Sequence, residues 1–297
     1  MRLFLYFFSC LLCIPFMACA QQVDPALTYL GQKPPTVQPE VFAPEIISKK
    51  GEYEFGSVFN KDATQFFYGV QLEGRTVIRY SELKGNTWTT PITILSNPKY
   101  GFNDPFLSPD EQRLYFISQK ALDSSGTKED HDIWYVQRNG NSWSEPINAG
   151  PNINSPSEEY YISFTKDGTM YFSSNKNQNH FDIYTSEYTN GKFQEAIKLG
   201  PSINTTSYEA DVFVDPNEKY VIFCATRSEG LGRGDLYISF KNPDGSWTPS
   251  INMGTTINTK GHELCPFVSS DGKYFFYTSN QDIYWVSTKV IEELRGK

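Results

Sequence analysis

Five copies of one order of features run through residues 40–286 of this 297-residue chain. Each copy contains a turn residue that follows a short apolar segment; these anchors are Asp62, Asp110, Asp167, Asn217 and Asp271. The intervals between successive anchors are 48, 57, 50 and 54 residues. A period of about 40–50 residues that holds several short strands is typical of a propeller blade, and the 3.6-residue apolar period of helical repeats is absent. The spacing therefore predicts an all-β propeller with five blades.

Four strand-like segments recur in each unit. Aromatic runs such as Phe66-Phe67-Tyr68 follow the anchors, and continuous runs of this kind indicate strands covered on both faces. A third segment opens with Asp-Ile-Tyr or a close variant. A fourth contains one aromatic residue followed by Pro or Ala, namely Trp88, Trp143, Phe193 or Trp247. Because Pro removes no ladder bond at a sheet edge, we expect these aromatic residues on the outermost strands.

The fifth unit lacks its fourth strand, since only residues 287–297 follow its third. The missing features occur at the other end of the chain, where Val41-Phe42-Ala43-Pro44 precedes Ile46-Ile47-Ser48 and Glu54. We expect this N-terminal strand to pair into the last blade and close the ring, which removes open sheet edges. The predicted propeller domain covers residues 39–297.

Three stretches resemble the WD40-like repeat of TolB-type bacterial propellers: Ser108-Pro109-Asp110, Ser270-Asp271-Gly272-Lys273 and Arg227–Tyr237. The resemblance covers residues 40–286 and implies the propeller fold. It implies no single function, because proteins with this repeat include accessory envelope proteins, peptidase propellers and some polysaccharide lyases. TolB itself is regarded as six-bladed, so six blades are the alternative to the five counted here.

The N-terminus reads as an export signal. Residues 1–19 hold one Arg and an apolar run too short to span a membrane. Phe16-Met17-Ala18-Cys19 resembles a lipobox, which predicts a lipid anchor on Cys19; cleavage by the ordinary signal peptidase is the alternative. Residues 20–38 contain three prolines and few apolar residues, which favours an extended tether or an unstructured segment. The predicted location is the periplasm or the outer membrane.

Charge and cysteine content restrict the partners. The net charge is −8, the isoelectric point is near 5.0 and no basic run is present, so nucleic acid is not an expected partner. Outside the signal sequence and Cys19, the cysteines are Cys224 and Cys265, in neighbouring predicted blades. In an oxidising compartment they can form a disulfide; two small buried hydrophobic residues are the alternative.

A carboxylate lies eight residues before the anchor in four units, at Glu54, Glu159, Glu209 and Glu263. Asp104 and Asp211 lie two residues further on in their own units. Carboxylates that converge at one mouth of a channel repel one another unless they bind a cation such as calcium, bind a basic group of a partner, or are hydrogen-bonded within each blade. A residue repeated in every blade is most simply explained by the fold, so we favour the structural interpretation of the glutamates and expect no bound metal or other cofactor.

Features that occur once are better candidates for a ligand or partner surface. The second unit has an enlarged loop from Gln119 to His131, which ends beside Trp134, and long loops on a rigid scaffold often carry binding sites. In the same unit, Tyr100 precedes Phe102, which replaces the repeated Glu. Tolerated insertions are the alternative explanation. The three histidines occupy non-equivalent positions, which argues against a metal-dependent lyase.

Two functions from different classes remain. The first is a non-catalytic interaction protein that docks an envelope protein, a cell-wall component or a polysaccharide. The second is a carbohydrate-active enzyme, either a glycoside hydrolase or a lyase; a hydrolase requires two carboxyl groups about 5–10 Å apart, one of them with a raised pKa. The residues that could supply this pair are Asp104, Glu159, Asp211 and Glu263, with Trp134 or Tyr100 as a stacking platform for a sugar.

Overall fold

The computed structural model describes residues 23–123, 126–176 and 180–295, which form five four-stranded antiparallel blades. The inner strands are Tyr53–Phe59, Asn103–Leu107, Glu159–Phe164, Tyr208–Val214 and Leu264–Val268. The second strands are Gln65–Leu72, Arg113–Lys120, Met170–Ser174, Tyr220–Thr226 and Tyr274–Ser279. The third strands are Arg75–Lys84, Thr127–Asn139, Asp182–Ser186, Asp235–Phe240 and Asp282–Ser287. The outermost strands are Ile92–Leu95, Ile147–Asn148, Ile197–Lys198, Ile251–Asn252 and Glu40–Val41.

The blades form a closed ring. Each inner strand contacts the inner strands of both neighbouring blades, including the first with the fifth. The strand Glu40–Val41 completes the fifth blade by pairing with its third strand, with Glu40 opposite Trp285. Phe42 follows directly and is fully buried against the rings of Phe59 and Phe66 in blade one and of Phe276 in blade five. The predicted fold class and the predicted closure by the N-terminal strand are confirmed.

Part of the segment predicted as a tether packs against the ring. Residues 25–31 form two 3₁₀ turns, Pro25–Leu27 and Tyr29–Gly31. The ring of Tyr29 lies 5.0 Å from that of Phe59 in blade one and 4.8 Å from that of Tyr274 in blade five, and its hydroxyl donates to Asp271 at 2.9 Å. The packed body therefore begins near residue 25 rather than at residue 39. The predicted signal peptide and Cys19 lie outside the described residues.

The prediction that Trp88, Trp143, Phe193 and Trp247 lie on the outermost strands is wrong. Trp88 and Trp143 lie on two-residue strands, Thr87–Trp88 and Ser142–Trp143, which fold back on the end of the third strand. Phe193 lies in a separate hairpin formed by Tyr188–Thr189 and Lys192–Phe193. Trp247 forms an isolated bridge with Lys241. In blades one and two the outermost strand begins only after the proline, because Pro cannot donate to the ladder and the pairing stops there.

The described residues contain little helix beyond the 3₁₀ turns. A single α-helical turn, Lys289–Glu292, follows the last strand and buries Val290 and Ile291. None of the helices in the described ranges has the length and apolar character that crossing a membrane requires.

Candidate functional site

Every inner strand is interrupted by one residue in the left-handed backbone region, at the point where its register with the second strand shifts. These five residues, each six positions before the anchor of its unit, have φ between 44° and 53° and are Gly56, Asp104, Tyr161, Asp211 and Cys265. A bulge of this kind redirects the side chain out of the regular pleat. We call this set the axial ring, because its members meet across the channel.

Contacts made by the axial ring join blades across the channel, and in two cases the blades are not neighbours. The sulfur of Cys265 in blade five lies 3.4 Å from a carboxylate oxygen of Asp104 in blade two. The hydroxyl of Tyr161 in blade three donates to the carbonyl oxygen of Pro266 in blade five at 2.8 Å. The backbone N–H of Cys265 donates to the carboxylate of Asp211. The axial ring therefore narrows the channel and holds two carboxyl groups at its centre.

The surroundings of Asp104 and Asp211 disfavour the charged form of both carboxyl groups. Burial raises the pKa of Asp104, the negative charge of Asp211 raises it further, and the Cys265 thiol opposes both effects only in part. Burial also raises the pKa of Asp211. Because burial likewise raises the pKa of Cys265, that residue is a neutral thiol and supplies no charge to either carboxylate.

Three tyrosines surround these carboxylates at the end of the channel where the inner strands begin, which we call the channel mouth. Tyr53, Tyr160 and Tyr208 are all half-buried. Burial raises the pKa of each hydroxyl, and the negative charge of Asp211 raises it further in all three. Asp104 adds the same effect on Tyr53 and Tyr160. The axial carboxylates thus influence the pKa values of three half-buried tyrosines at the channel mouth.

A cavity of about 330 Å³ opens beside Tyr53. Its lining includes Arg233, His262, Leu264 and Gln281. Burial lowers the pKa of His262, and the charge of Arg233 lowers it further, so the imidazole is neutral near pH 7. Nε2 of His262 lies 3.4 Å from the sulfur of Cys224. The cavity therefore offers one exposed cation and several neutral polar groups.

His131 lies at the channel mouth. Its Nδ1 is 2.7 Å from Glu158 Oε2 and 2.9 Å from the hydroxyl of Tyr160. The enlarged loop predicted from Gln119 to His131 is largely strand, since the second strand runs to Lys120 and the third begins at Thr127, directly opposite it. The connection between these two strands is reduced to residues 121–126, of which 124 and 125 lie outside the described residues.

The two predicted stacking residues differ in exposure. Trp134 is only 3% exposed and has Lys120 Nζ 4.7 Å from its ring centroid, so it offers no face to a sugar and this prediction is wrong. Tyr100 is half-buried and its ring packs 5.5 Å from that of Phe102. Phe102, which stands in the place of the repeated Glu, is buried.

The repeated glutamates are fully buried and hydrogen-bonded close to their own positions in the chain. Glu159 Oε1 accepts from Ser155 Oγ at 2.6 Å and from Ser174 Oγ at 2.9 Å. Glu263 Oε1 accepts in the same way from Thr259 and Ser279, at 2.7 and 2.8 Å. Burial raises the pKa of Glu159 to about 7. These contacts favour the structural interpretation and leave Asp104 and Asp211 as the carboxyl groups that meet at the axis.

Within the described ranges, no group of three or more His, Cys, Asp or Glu side chains is arranged to hold a metal ion. Cys224 and Cys265 are buried free thiols, and no disulfide joins them. They match the alternative prediction of two small buried hydrophobic residues. The axial ring was not predicted from the sequence, because its five residue types share no side-chain chemistry. The signal that could have revealed it is the constant distance of six residues to the anchor.

No protein-family model matches the chain. A non-reducing end α-L-arabinofuranosidase from Bacteroides ovatus is 29% identical over 128 residues, which are 42% of this chain and 23% of that enzyme. The chain thus matches less than a quarter of the length of this curated relative.

Solved structures define the class more clearly. TolB from Acinetobacter baumannii superposes with a TM-score of 0.50 and 16% identity, covering 78% of this chain and 53% of TolB. A protein of unknown function from Dyadobacter fermentans gives a TM-score of 0.51 and 14% identity, covering 82% of this chain and 78% of that one. The fold is that of a TolB-like β-propeller. Within that class this chain has five blades and spans about half the length of the matched TolB.

Proposed function

We propose that the chain is a non-catalytic binding protein of the bacterial envelope whose channel mouth holds a basic group of a partner. One observation carries this proposal: Asp104 and Asp211 lie together in the axial ring, and neither forms an ion pair with any described residue. Asp104 is buried and Asp211 is half-buried, and a carboxylate removed from water is ordinarily paired because an isolated buried charge is costly. A lysine, an arginine or another amine brought by a partner would supply the missing charge.

The aromatic surface supports the same chemistry. Tyr53, Tyr160 and Tyr208 are half-buried, the negative charge of Asp211 contributes to the raised pKa of each, and aromatic faces attract ammonium and guanidinium groups. The net charge of −8 favours the approach of a basic partner. A basic side chain of an envelope protein fits this site best, and an amine of a cell-wall component is the alternative.

The proposed location follows from the N-terminal sequence. Residues 1–19 would direct export, and a lipid on Cys19 would hold the propeller at a periplasmic or outer-membrane surface. Because the chain packs against the ring from residue 25 onward, only a short segment would separate the lipid from the propeller. The ring would then lie close to the membrane surface.

A site-specific crosslinking experiment in native envelopes tests the binding proposal. A photoreactive phenylalanine analogue placed at Tyr53 should capture a partner, and the double variant Asp104→Asn with Asp211→Asn should reduce that capture about tenfold or more, as expected for loss of a charge-assisted contact. The same analogue at Ile92, which is 58% exposed on an outermost strand, is the matched control and should be insensitive to the double variant. Undiminished capture at Tyr53 in the double variant would refute the proposal.

A glycoside hydrolase is the second candidate, supported by the raised pKa of the Asp104 carboxyl group beside Asp211 and by the similarity to an arabinofuranosidase. The contact between Cys265 and Asp104 and the hydrogen bond from Tyr161 leave little room for a sugar between the carboxylates. Hydrolysis of an aryl α-L-arabinofuranoside and of arabino-oligosaccharides tests this candidate. Turnover that disappears in Asp104→Asn would support it, and absence of turnover by the unmodified chain on these substrates would remove this activity from consideration.

A further inference from the structure

The opposite end of the channel differs in character from the mouth. Where the inner strands end, phenylalanines converge on the axis: the ring centroid of Phe267 lies 6.0 Å from that of Phe106 and 6.1 Å from that of Phe213. Val58 and Phe164 complete an apolar recess of about 140 Å³, and residues from all five blades line it. We call this recess the exit funnel.

The exit funnel adjoins a larger cavity of about 440 Å³ between blades two and three. Both are lined by Ser108, Pro109 and Phe164, so an apolar ligand can extend from one into the other. The wall of the larger cavity carries three cations: Lys61, Arg113 and Lys166. In the described part of the chain, none of the three forms an ion pair with a carboxylate.

Arg113 is held in place by neutral groups. Its Nη1 donates to the hydroxyls of Tyr115 and Tyr188 at 3.3 and 3.2 Å, and its Nε donates to Gln137 at 3.3 Å. The guanidinium also lies 5.0 Å from the ring centroid of Tyr135. No hydrogen bond to a described residue uses Nη2. The guanidinium is therefore fixed in orientation, with two N–H donors left for a ligand.

The carboxylates near this cavity are engaged by their own turns. Asp110 accepts from Ser108 Oγ at 2.5 Å and Asp167 accepts from the hydroxyl of Thr165. Glu111, on the side of the exit funnel, accepts from the backbone N–H of Lys61 at 2.6 Å. These acidic groups offset part of the positive charge but leave the donors of Arg113 free.

We propose that this cavity binds an anionic amphiphile, with a carboxylate or phosphate head on Arg113 and an acyl chain in the exit funnel. The fixed guanidinium supplies directional donors for an anion, and Lys61 and Lys166 add charge at the rim. The phenylalanine-lined recess takes the apolar part, because its burial there removes apolar surface from water. The ligand is either a free fatty acid or the head and chain of an anionic lipid, and the site is separate from the channel mouth.

Calorimetric titration of the full chain with decanoate, and sedimentation with vesicles that contain phosphatidylglycerol, test the proposal. Arg113→Gln should weaken whichever ligand binds by about tenfold or more, as expected for a lost charge-assisted hydrogen bond. Arg75→Gln, at an exposed arginine outside the cavity, should leave binding unchanged. Uncharged decanol should bind more weakly than decanoate by a similar factor.

The two ligand sources are distinguished by which arm responds: decanoate binding indicates a free acid, and vesicle binding alone indicates a lipid headgroup. If Arg113→Gln does not fold, the double variant Lys61→Gln with Lys166→Gln at exposed positions serves in its place and should weaken binding measurably. The proposal is overturned if neither ligand binds, if decanol binds as tightly as decanoate, or if binding is the same in the cavity variants and in Arg75→Gln.

Discussion

The thiol of Cys265 lies 3.4 Å from a carboxylate oxygen of Asp104, although 161 residues separate the two in the chain and their blades are not neighbours. This contact shows that the axis of the propeller is a packed, polar centre rather than an open pore. The properties of the channel mouth therefore depend on a few side chains contributed by different blades.

The first prediction concerns pH. Burial and the charge of Asp211 raise the pKa of Asp104, so the folded state binds protons more tightly than the unfolded chain, whose Asp pKa is about 3.9. Stability should therefore fall as pH rises from about 4 through the raised pKa. Asp104→Asn removes this contribution, so between pH 5 and 8 its free energy of unfolding should fall less steeply. The gain over the unmodified protein at pH 8 should be about 1–3 kcal/mol, because one pKa unit corresponds to about 1.4 kcal/mol.

Urea denaturation at several pH values measures this difference. The matched control is Asp110→Asn: burial acts to raise the pKa of Asp110, but hydrogen bonds from Ser108 and Gln112 lower it overall. That stability is present above the unfolded pKa and is lost only as pH falls below about 4, so the control should not change the slope between pH 5 and 8. Equal slopes for the unmodified protein and Asp104→Asn would contradict the prediction.

The second prediction concerns Gly56, the smallest member of the axial ring. Its φ is +51°, and an added Cβ would lie 2.7 Å from an oxygen of Asp104 and 3.0 Å from its Cα. Gly56→Ala should therefore lower the free energy of unfolding by about 2–4 kcal/mol through both backbone strain and the clash. Gly51→Ala, with φ +86° and nothing near the added Cβ, should cost about 1 kcal/mol. Chemical denaturation compares them, and equal costs would show that Asp104 does not close the space at Gly56.

The third prediction concerns ring closure. Phe42 is fully buried where the N-terminal strand meets blades one and five, so Phe42→Ala should lower the free energy of unfolding by about 3–5 kcal/mol. Glu40→Ala, on the same segment but exposed, should change it by less than about 0.5 kcal/mol. Thermal or denaturant melts report both values. A small effect at Phe42 would mean that the closing segment contributes little to the stability of the fold.

The fourth prediction concerns the thiols. Cys224 and Cys265 are 0% and 2% exposed, and burial raises the pKa of both, so a thiol reagent should modify neither in the folded protein. A chain that begins at Gln21 should show two reactive thiols in guanidinium without a reductant. If no thiol reacts under these conditions, the two cysteines form a disulfide. Rapid labelling of the folded protein would show that the axis opens.

The blade repeat was predictable because the same side-chain types recur at constant distances from the anchor of each unit. The axial ring was not, because the feature shared by Gly56, Asp104, Tyr161, Asp211 and Cys265 is a backbone conformation. A bulge needs a positive φ, and once neighbouring strands hold it, residues of any type can occupy it. Convergence on an axis also depends on all five blades at once, which no single repeat reveals.

A second difference concerns asparagines that recur 13 residues before the anchors of four units, where an Asn side chain is expected to cap its own turn. Asn97 does so, since its side-chain oxygen accepts from the backbone N–H of Lys99. Asn154, Asn204 and Asn258 bond both backbone groups of one residue on the third strand of the preceding blade, such as Ile133 for Asn154 at 2.8 and 2.9 Å. The spacing identified a repeated role, but the partner lies 21 or 22 residues away and is set by the blade geometry.

The closing strand Glu40–Val41 emerges from the ribosome about 240 residues before its partner Asp282–Ser287. Contacts between distant parts of a chain form late and slow the overall reaction. Until then the fifth blade has an unpaired edge, which is open to pairing with another chain. A chain interrupted before the last blade would leave Glu40–Val41 without its partner strand and the ring open. An unpaired closing strand would therefore distinguish an unfinished molecule from a finished one, and proteases or chaperones could recognise it.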